Sequence, residues 1–376
     1  MDDINKFRVG FTTDGSFLPI RNGTNYSIKC LMESLYASGK VEPNVIISYR
    51  GWDDPTIYLE QKFGTIFLPA TYYYEDNNIF NYAVNLRNID IIHIYNSGEV
   101  LNMGKRLQRN GIRIIFEVIN IDHVLYSQFW SDKNKLKEIT NMQKLACERA
   151  DHVMCRSKVD KEHLVEMGIS ESKITIYRGA IDTNSIDFRT RIEPRYKILF
   201  LGHMYYPPNE EALKLIVNKV LPHLRKVNPR YSITIVGNTP KETIDEYKNV
   251  PGLCFLGGQD NISKFLQEYD IGIAPLYQGS GTRLKLLDYL ASGLPVITTS
   301  LGVEGLLPEI KNHLTIENDI EEYALKIDHI MTDLNTYEIK SMKGRKFVEQ
   351  YYDWSNAIDP FLNVYQNIIK SGNNLS

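Results

Sequence analysis

Two cations placed at the start of a helix are where this sequence could do chemistry: Arg283 and Lys285 follow the turn Gly279-Ser280-Gly281-Thr282 and precede Asp288. The glycines free the backbone for positive φ and close approach to a ligand, and Thr282 or Ser280 can cap the helix after the turn. A helix N-terminus is already partly positive, so each cation there destabilises it by about 0.3–1 kcal/mol. The sign reverses when a phosphate docks on the free N–H groups beside them. A plainer reading has both side chains in solvent, with Lys285 pairing with Asp288 one turn on for ~0.2–0.5 kcal/mol. With an anion bound, Asp288 would be placed to accept hydrogen bonds from a hydroxyl pair such as a ribose.

The elements that must hold these residues are legible around them. Residues 271–276 form a short apolar run, read as a buried strand. From 283 to 291 the leucines at 284, 286, 287 and 290 make an apolar stripe at helical spacing. Gly293-Leu294-Pro295 ends that helix and residues 296–299 are the next strand. Upstream, a second alternating series starts with the strand 197–204, continues through a helix at 209–227 and reaches the strand 231–237. Gly202 permits close backbone approach after its strand, His203 follows it, and Asn209 is the expected helix cap.

The first half alternates in the same way. Strands are expected at 8–12, 44–48, 65–68, 89–95, 113–119, 152–156 and 173–177, with helices near 26–37, 78–87, 99–109, 134–149 and 157–167. Such alternation means mostly parallel, doubly wound sheets, so the chain is α/β. The loop 14–25, punctuated by Gly15 and Gly23, is long for a strand-to-helix connection, where about 2–6 residues is usual. A long loop at the carboxyl end of a first strand is where α/β folds bind ligands. Residues 70–76 are unusually aromatic, and one or two of these rings could line a pocket or a surface.

In order, the run Gly279 to Asp288, then Ser292-Gly293-Leu294-Pro295-Val296, then Gly302-Val303-Glu304-Gly305, resembles the donor-binding segment of retaining glycosyltransferases of the GT-B fold, family 4. Asn120-Ile121-Asp122-His123, 150–157 and 174–182 also resemble segments of that family, and the resemblance spans residues 8–370. It implies two Rossmann-like doubly wound domains facing a central cleft, with a C-terminal helix crossing back to the first. The expected divisions are an acceptor-binding domain at 1–188, a linker at 189–196, a nucleotide-sugar-binding domain at 197–355, and the returning helix at 356–376.

The resemblance implies transfer of a sugar from a nucleoside diphosphate sugar, UDP- or GDP-linked, to an acceptor hydroxyl with retention of configuration. The acceptor would be a polysaccharide, a lipid-linked glycan or a small natural product. Arg283 and Lys285 would neutralise the leaving diphosphate, and Asn120 and His123 would act near the reacting sugar. Donor contacts would come from Gly23, Gly202, His203, Gly279, Ser280, Gly281, Thr282, Leu284, Asp288 and Glu304. Three departures stand out: Ile119 replaces a histidine, Ser280 replaces a glutamate that contacts sugar hydroxyls, and Gly23 stands alone where two glycines are usual. Ile119 and Ser280 leave open a catalytically weak sugar-nucleotide-binding partner subunit; a nucleotide-sugar epimerase or hydrolase on the same fold is a separate alternative.

Composition bounds the rest. A chain of 376 residues with 43% hydrophobic content can fill two cores. The net charge of −3 comes without a basic block, so no nucleic-acid partner is expected and at most a peripheral membrane contact. No apolar run approaches the ~20 residues of a spanning helix, and the polar start is unlike a signal peptide, so a cytoplasmic protein is expected. The cysteines at 30, 147, 155 and 254 show no metal-ligand spacing and no Asp-x-Asp occurs, so neither a metal nor a cofactor is expected.

Overall fold

The computed structural model describes residues 6–13, 23–49, 64–69, 82, 84–190, 193–259 and 262–373. The chain divides into two compact units, Met1–Arg178 with Ala357–Ser376, and Gly179–Asn356. Both are parallel sheets carrying helices, as two Rossmann-like α/β units.

In the first unit the strands are β1 (Phe7–Thr13), β2 (Val41–Tyr49), β3 (Gly64–Pro69), β4 (Ile91–Ile94), β5 (Arg113–Val118), β6 (His152–Cys155) and β7 (Ile174–Ile176). They form one sheet in the order β3-β2-β1-β4-β5-β6-β7, parallel throughout. The helices between them are α1 (Gly23–Ala37), α2 (Ser97–Arg109), α3 (Asp122–Tyr126), α4 (Lys133–Arg149) and α5 (Lys158–Glu166). Near-continuous apolar strands follow from burial on both faces: Ile92, Ile94, Ile114, Phe116 and Val153 share one core. Caps fix the helix starts locally, since Asn96, Asp132 and Ser157 side chains accept backbone N–H bonds at α2, α4 and α5.

The second unit holds β8 (Lys197–Leu201), β9 (Ser232–Val236), β10 (Leu253–Phe255), β11 (Ile271–Ala274), β12 (Val296–Thr298) and β13 (Thr315–Ile316). Their order is β10-β9-β8-β11-β12-β13, again parallel. Its helices are α6 (Pro207–Leu215), α7 (Leu221–Val227), α8 (Lys241–Tyr247), α9 (Ile262–Leu266), α10 (Leu284–Ala291), α11 (Ile320–Thr332), α12 (Leu334–Tyr351) and α13 (Trp354–Ala357). Helix α10 sits in the core through Leu286, Leu287, Tyr289 and Leu290, all fully buried. The Tyr289 hydroxyl accepts the Leu201 N–H at 2.6 Å, which ties α10 to β8.

Three expectations need correction. The helix expected at 209–227 is α6, a π-helical turn at Ile216–Val220, and α7. Pro222 has no N–H to give the ladder, and Leu221 bonds five residues back to Ile216 instead. Residues 179–188 belong to the second unit: Ile181 donates to the Tyr352 carbonyl at 2.9 Å, and Arg345 bonds the carbonyls of Ile186 and Thr183 at 2.6 and 2.9 Å. The described ends of the segment expected as a linker, 189–190 and 193–196, are docked on that unit too, because Arg189 donates to the Gln267 carbonyl at 2.6 Å and Arg195 N–H to Asp270 at 2.8 Å.

The last helix, α14 (Asp359–Asn373), belongs to the first unit. Its Tyr365 hydroxyl lies 2.8 Å from His93 Nε2, and its Phe361 ring packs 4.7 Å from that of Tyr177. The upstream aromatics Tyr352 and Trp354 are buried in the second unit, where the Leu307 N–H donates to the Tyr352 hydroxyl at 2.6 Å. Residues 14–22 of the long first loop, the aromatic stretch 70–76 and residues 78–81 and 83 of the helix expected at 78–87 lie outside the described residues.

Candidate functional site

In the second unit the turn between β11 and α10 carries the candidate residues. Gly279 and Gly281 hold φ of 119° and 76°, a region L side chains rarely adopt, so the expected freedom of this turn is used. Arg283 occupies the N-cap position of α10 with no side-chain cap bond, so neither Ser280 nor Thr282 caps the helix as expected. Their hydroxyls do something else. Among the described residues, Ser280 Oγ, Thr282 Oγ1 and Asp288 Oδ1 are buried without a hydrogen-bond partner. A buried polar group left in that state costs about 1–3 kcal/mol, which a bound ligand carrying hydroxyl or phosphate groups would relieve.

The charges are as unusual as the hydroxyls. Arg283 is 8% exposed; its guanidinium donates to the Gly281 carbonyl and lies 3.8 Å from Glu304 Oε2. Lys285 is half-buried, with Nζ donating to Asn209 Oδ1 at 2.8 Å and lying 4.4 Å over the Phe200 ring. Burial, reinforced by the Arg283 charge, pushes the Lys285 ammonium down to about 7. Asp288 is 8% exposed, and burial pushes its carboxyl up to about 7. The alternative of Lys285 and Arg283 waving in solvent is thereby excluded.

The β8 turn joins this cluster. Gly202 follows β8 and donates its N–H to the Val236 carbonyl at 2.9 Å. His203 Nδ1 lies 3.3 Å from the Asn238 carbonyl oxygen, and its ring stacks edge-on to Tyr205 at 5.1 Å. Leu284 turns its side chain into the hydrophobic core, which leaves its N–H, at the first helical position, as the group it can offer a ligand. Glu304 joins through its contact with Arg283. So Gly202, His203, Gly279, Ser280, Gly281, Thr282, Arg283, Leu284, Lys285, Asp288 and Glu304 all lie in one unit.

Gly23, Asn120 and His123 belong to the other unit. Gly23 opens α1, and a Cβ there would meet nothing within 4 Å. Asn120 and His123 follow β5, where Gln143 clips the turn by donating to the Asn120 carbonyl at 2.9 Å and accepting from Asp122 N–H at 3.0 Å. His123 faces α5, edge-on to His163 at 5.9 Å between ring centroids. Burial, with His163 beside it, holds its imidazole below the ordinary range.

Sequence reasoning missed two things. Asn209, expected as a helix cap, is 7% exposed and contacts Lys285; Tyr206 occupies the N-cap position instead. Glu117 anchors a buried polar network with His93, Tyr95, Arg156, Tyr177 and Tyr365. A charged residue inside the buried strands IIHI and RIIFEV was the available signal.

Among the described residues, no group of three or more His, Cys, Asp or Glu side chains is arranged to hold a metal ion, and no helix is long and apolar enough to cross a membrane.

Comparison with known proteins agrees with this architecture. Residues 22–185 match the family described as Glycosyltransferase Family 4, and residues 195–333 match Glycosyl transferases group 1. The Escherichia coli O-antigen biosynthesis glycosyltransferase WbnH is 26% identical over 256 residues, 64% of this chain and 70% of that protein. An uncharacterized 44.6 kDa protein in the cps region of Klebsiella pneumoniae is 27% identical over 164 residues, and the match spans 42% of each chain. Among solved structures, a sucrose-phosphate synthase from Thermosynechococcus elongatus superposes with a TM-score of 0.77 at 15% identity, covering 97% of this chain and all of that one. Anabaena HepE, solved in complex with UDP and glucose, superposes with a TM-score of 0.74 at 12% identity, covering 96% and 99%. With a family 4 domain followed by a group 1 domain on a pair of Rossmann-like units, the chain belongs to the GT-B glycosyltransferases.

Proposed function

We propose that this glycosyltransferase moves a sugar from a nucleoside diphosphate sugar to an acceptor hydroxyl with retention of configuration, and that α10 holds the diphosphate. The observation that carries the reading is the state of that helix start. Two cations, one of them pushed down to about 7 by burial, stand beside two hydroxyls and a carboxylate oxygen that have no partner among the described residues. An anion bearing hydroxyls would draw on both cations and give the unpartnered oxygens their hydrogen bonds.

In the reaction the bond from the anomeric carbon to the diphosphate oxygen breaks and the acceptor oxygen bonds to that carbon. The acceptor proton leaves to the departing phosphate or to solvent. Negative charge grows on the diphosphate, and Arg283, Lys285 and the N–H groups of the Gly279 turn stabilise it where it grows. Asp288 accepts the ribose hydroxyls, and Ser280 offers the sugar a neutral hydroxyl. From the first unit the reading takes Asn120 and His123 as the polar residues of the reaction. A UDP-linked donor is supported by the similar structure that holds UDP, and a glycan acceptor by the relative named for O-antigen biosynthesis.

Thermal unfolding with UDP, GDP, ADP and dTDP in turn tests the site. A matching diphosphate at about 100 times its dissociation constant should add ~2.7 kcal/mol of stability. That gain should vanish in Arg283→Ala and Lys285→Ala. No stabilisation by any of the four would sink the reading.

A further inference from the structure

Both polar atoms of the Asn209 side chain are engaged, and not by a cap on its own helix. Lys285 Nζ donates to Oδ1 at 2.8 Å, and Nδ2 donates to the His203 carbonyl at 3.0 Å. A Cβ on Gly202 would lie 2.8 Å from the Asn209 carboxamide carbon, so the end of β8 is shaped around this amide. The contact joins three elements: the β8 turn, α6 and the start of α10.

The charged groups around Lys285 are few. Arg283 precedes it and repels it. Glu304 lies toward Arg283, at 3.8 Å. Asp288 is one turn along α10. His203 turns its ring to the Asn238 carbonyl, and Glu210 and Glu211 of α6 pair with Lys214 at 3.0 and 2.9 Å. The ammonium is therefore held by an amide oxygen and an aromatic face. A carboxylate at position 209 would hold it as well but would cancel its charge. An apolar side chain would leave it without an acceptor and free to change rotamer.

We propose that Asn209 is the positioning residue for the Lys285 ammonium: it fixes that nitrogen at the start of α10 and ties it to the His203 turn through a neutral acceptor, leaving the positive charge for a diphosphate. The inference rests on the reading of α10 as the donor site.

Calorimetric titration of UDP, or of GDP where UDP does not bind, into the wild type, Asn209→Ala and Asn209→Asp tests it. Each titration is run at pH 8 in two buffers of different ionisation enthalpy. At that pH the terminal phosphate of the nucleotide, with a second pKa of about 6, is already ionised. Lys285, pushed down to about 7, takes up a proton on binding. Both variants should weaken binding about tenfold or more, Asn209→Ala because the ammonium loses the acceptor that positions it and Asn209→Asp because the carboxylate cancels its charge. Proton uptake should persist in Asn209→Ala and disappear in Asn209→Asp, where a carboxylate keeps the ammonium charged beforehand. A merely structural amide would lower thermal stability while leaving proton uptake alike in all three proteins, and that result overturns the proposal. Wild-type affinity in both variants overturns it equally and spares the donor site. A wild type that binds neither nucleotide removes the donor-site reading and this proposal together. Asn209→Ser is the substitute where either variant fails to fold.

Discussion

Glu117 in the first unit and Asp288 in the second are both buried carboxylates, and their surroundings are opposite. Glu117 accepts from Tyr95 and Tyr177 at 2.8 Å each and pairs with His93 at 2.5 Å. Burial opposes its charge, but these bonds hold its carboxyl below the ordinary range. Arg156 then donates to the Tyr177 hydroxyl at 3.1 Å and to Ser27 at 3.2 Å, so the network closes on itself. Asp288 has an oxygen with no partner among the described residues, and burial pushes its carboxyl up to about 7. A polar cluster that satisfies itself fixes a fold; one that leaves groups unsatisfied stores a demand that a ligand meets.

The comparison breaks most sharply if Glu117 is removed. Glu117→Ala leaves His93, Tyr95 and Tyr177 without their acceptor, and loss of one partner from a buried charged network costs about 3–5 kcal/mol. Urea unfolding should show that loss, with nucleotide affinity of the folded protein unchanged. A loss below about 1 kcal/mol, the scale of an ordinary hydrogen bond, would mean the network is not what holds this unit.

Asp288→Asn should act in the reverse sense. The folded Asp288 carboxyl, raised to about 7 from an ordinary 3.8, binds protons that the unfolded chain has released. Its stabilising contribution is therefore present at low pH and lost as pH rises through 7. Lys285, lowered to about 7 from 10.5, adds stability as pH rises above 7, because its folded form no longer carries a buried charge. Near neutrality both buried charges are unfavourable in the free protein. Removing the carboxylate at pH 7.5 should raise the melting temperature by about 2–4 °C, the shift that ~1 kcal/mol produces in a domain of this size. UDP affinity should fall about tenfold with the lost hydroxyl contacts. A lower melting temperature with intact UDP affinity would place Asp288 among the structural groups.

The smallest effect sharpens the first-unit side. Tyr365→Phe removes one bond to His93, worth about 0.5–1.5 kcal/mol. Hydrogen exchange in α14 should rise by a corresponding factor while exchange in α10 stays as it was. Equal loosening of both helices would contradict the division into separate units.

What was legible in the sequence was local. The strand, glycine turn and helix around Arg283 and Lys285 stood out because burial on both faces writes a continuous apolar strand, and a helix packed into a core writes leucines three and four apart. The positive φ of Gly279 and Gly281 follows from residue type alone. Where the expectation failed, a distant partner had intervened. Thr282 and Ser280 have the chemistry of caps, yet Arg283 takes the cap position. Asn209 has the chemistry of a cap too, and Lys285, 76 residues away, claims its amide. The ends of units were the least legible, since Ile186, Arg189 and Arg195 join the second unit through carbonyls and carboxylates on remote segments.

The sequence by itself determined the α/β alternation, the parallel sheets, the family and the identity of the two cations, because each is written in periodicity, residue type or a short ordered motif. Only the tertiary structure decided that Lys285 would be held by a neutral amide, that Asp288 would be buried with one carboxylate oxygen unpartnered among the described residues, and that Tyr365 would close on His93 across 272 residues of chain. Burial and hydrogen-bond satisfaction are properties of what surrounds a side chain, and those surroundings are assembled from segments far apart in the sequence.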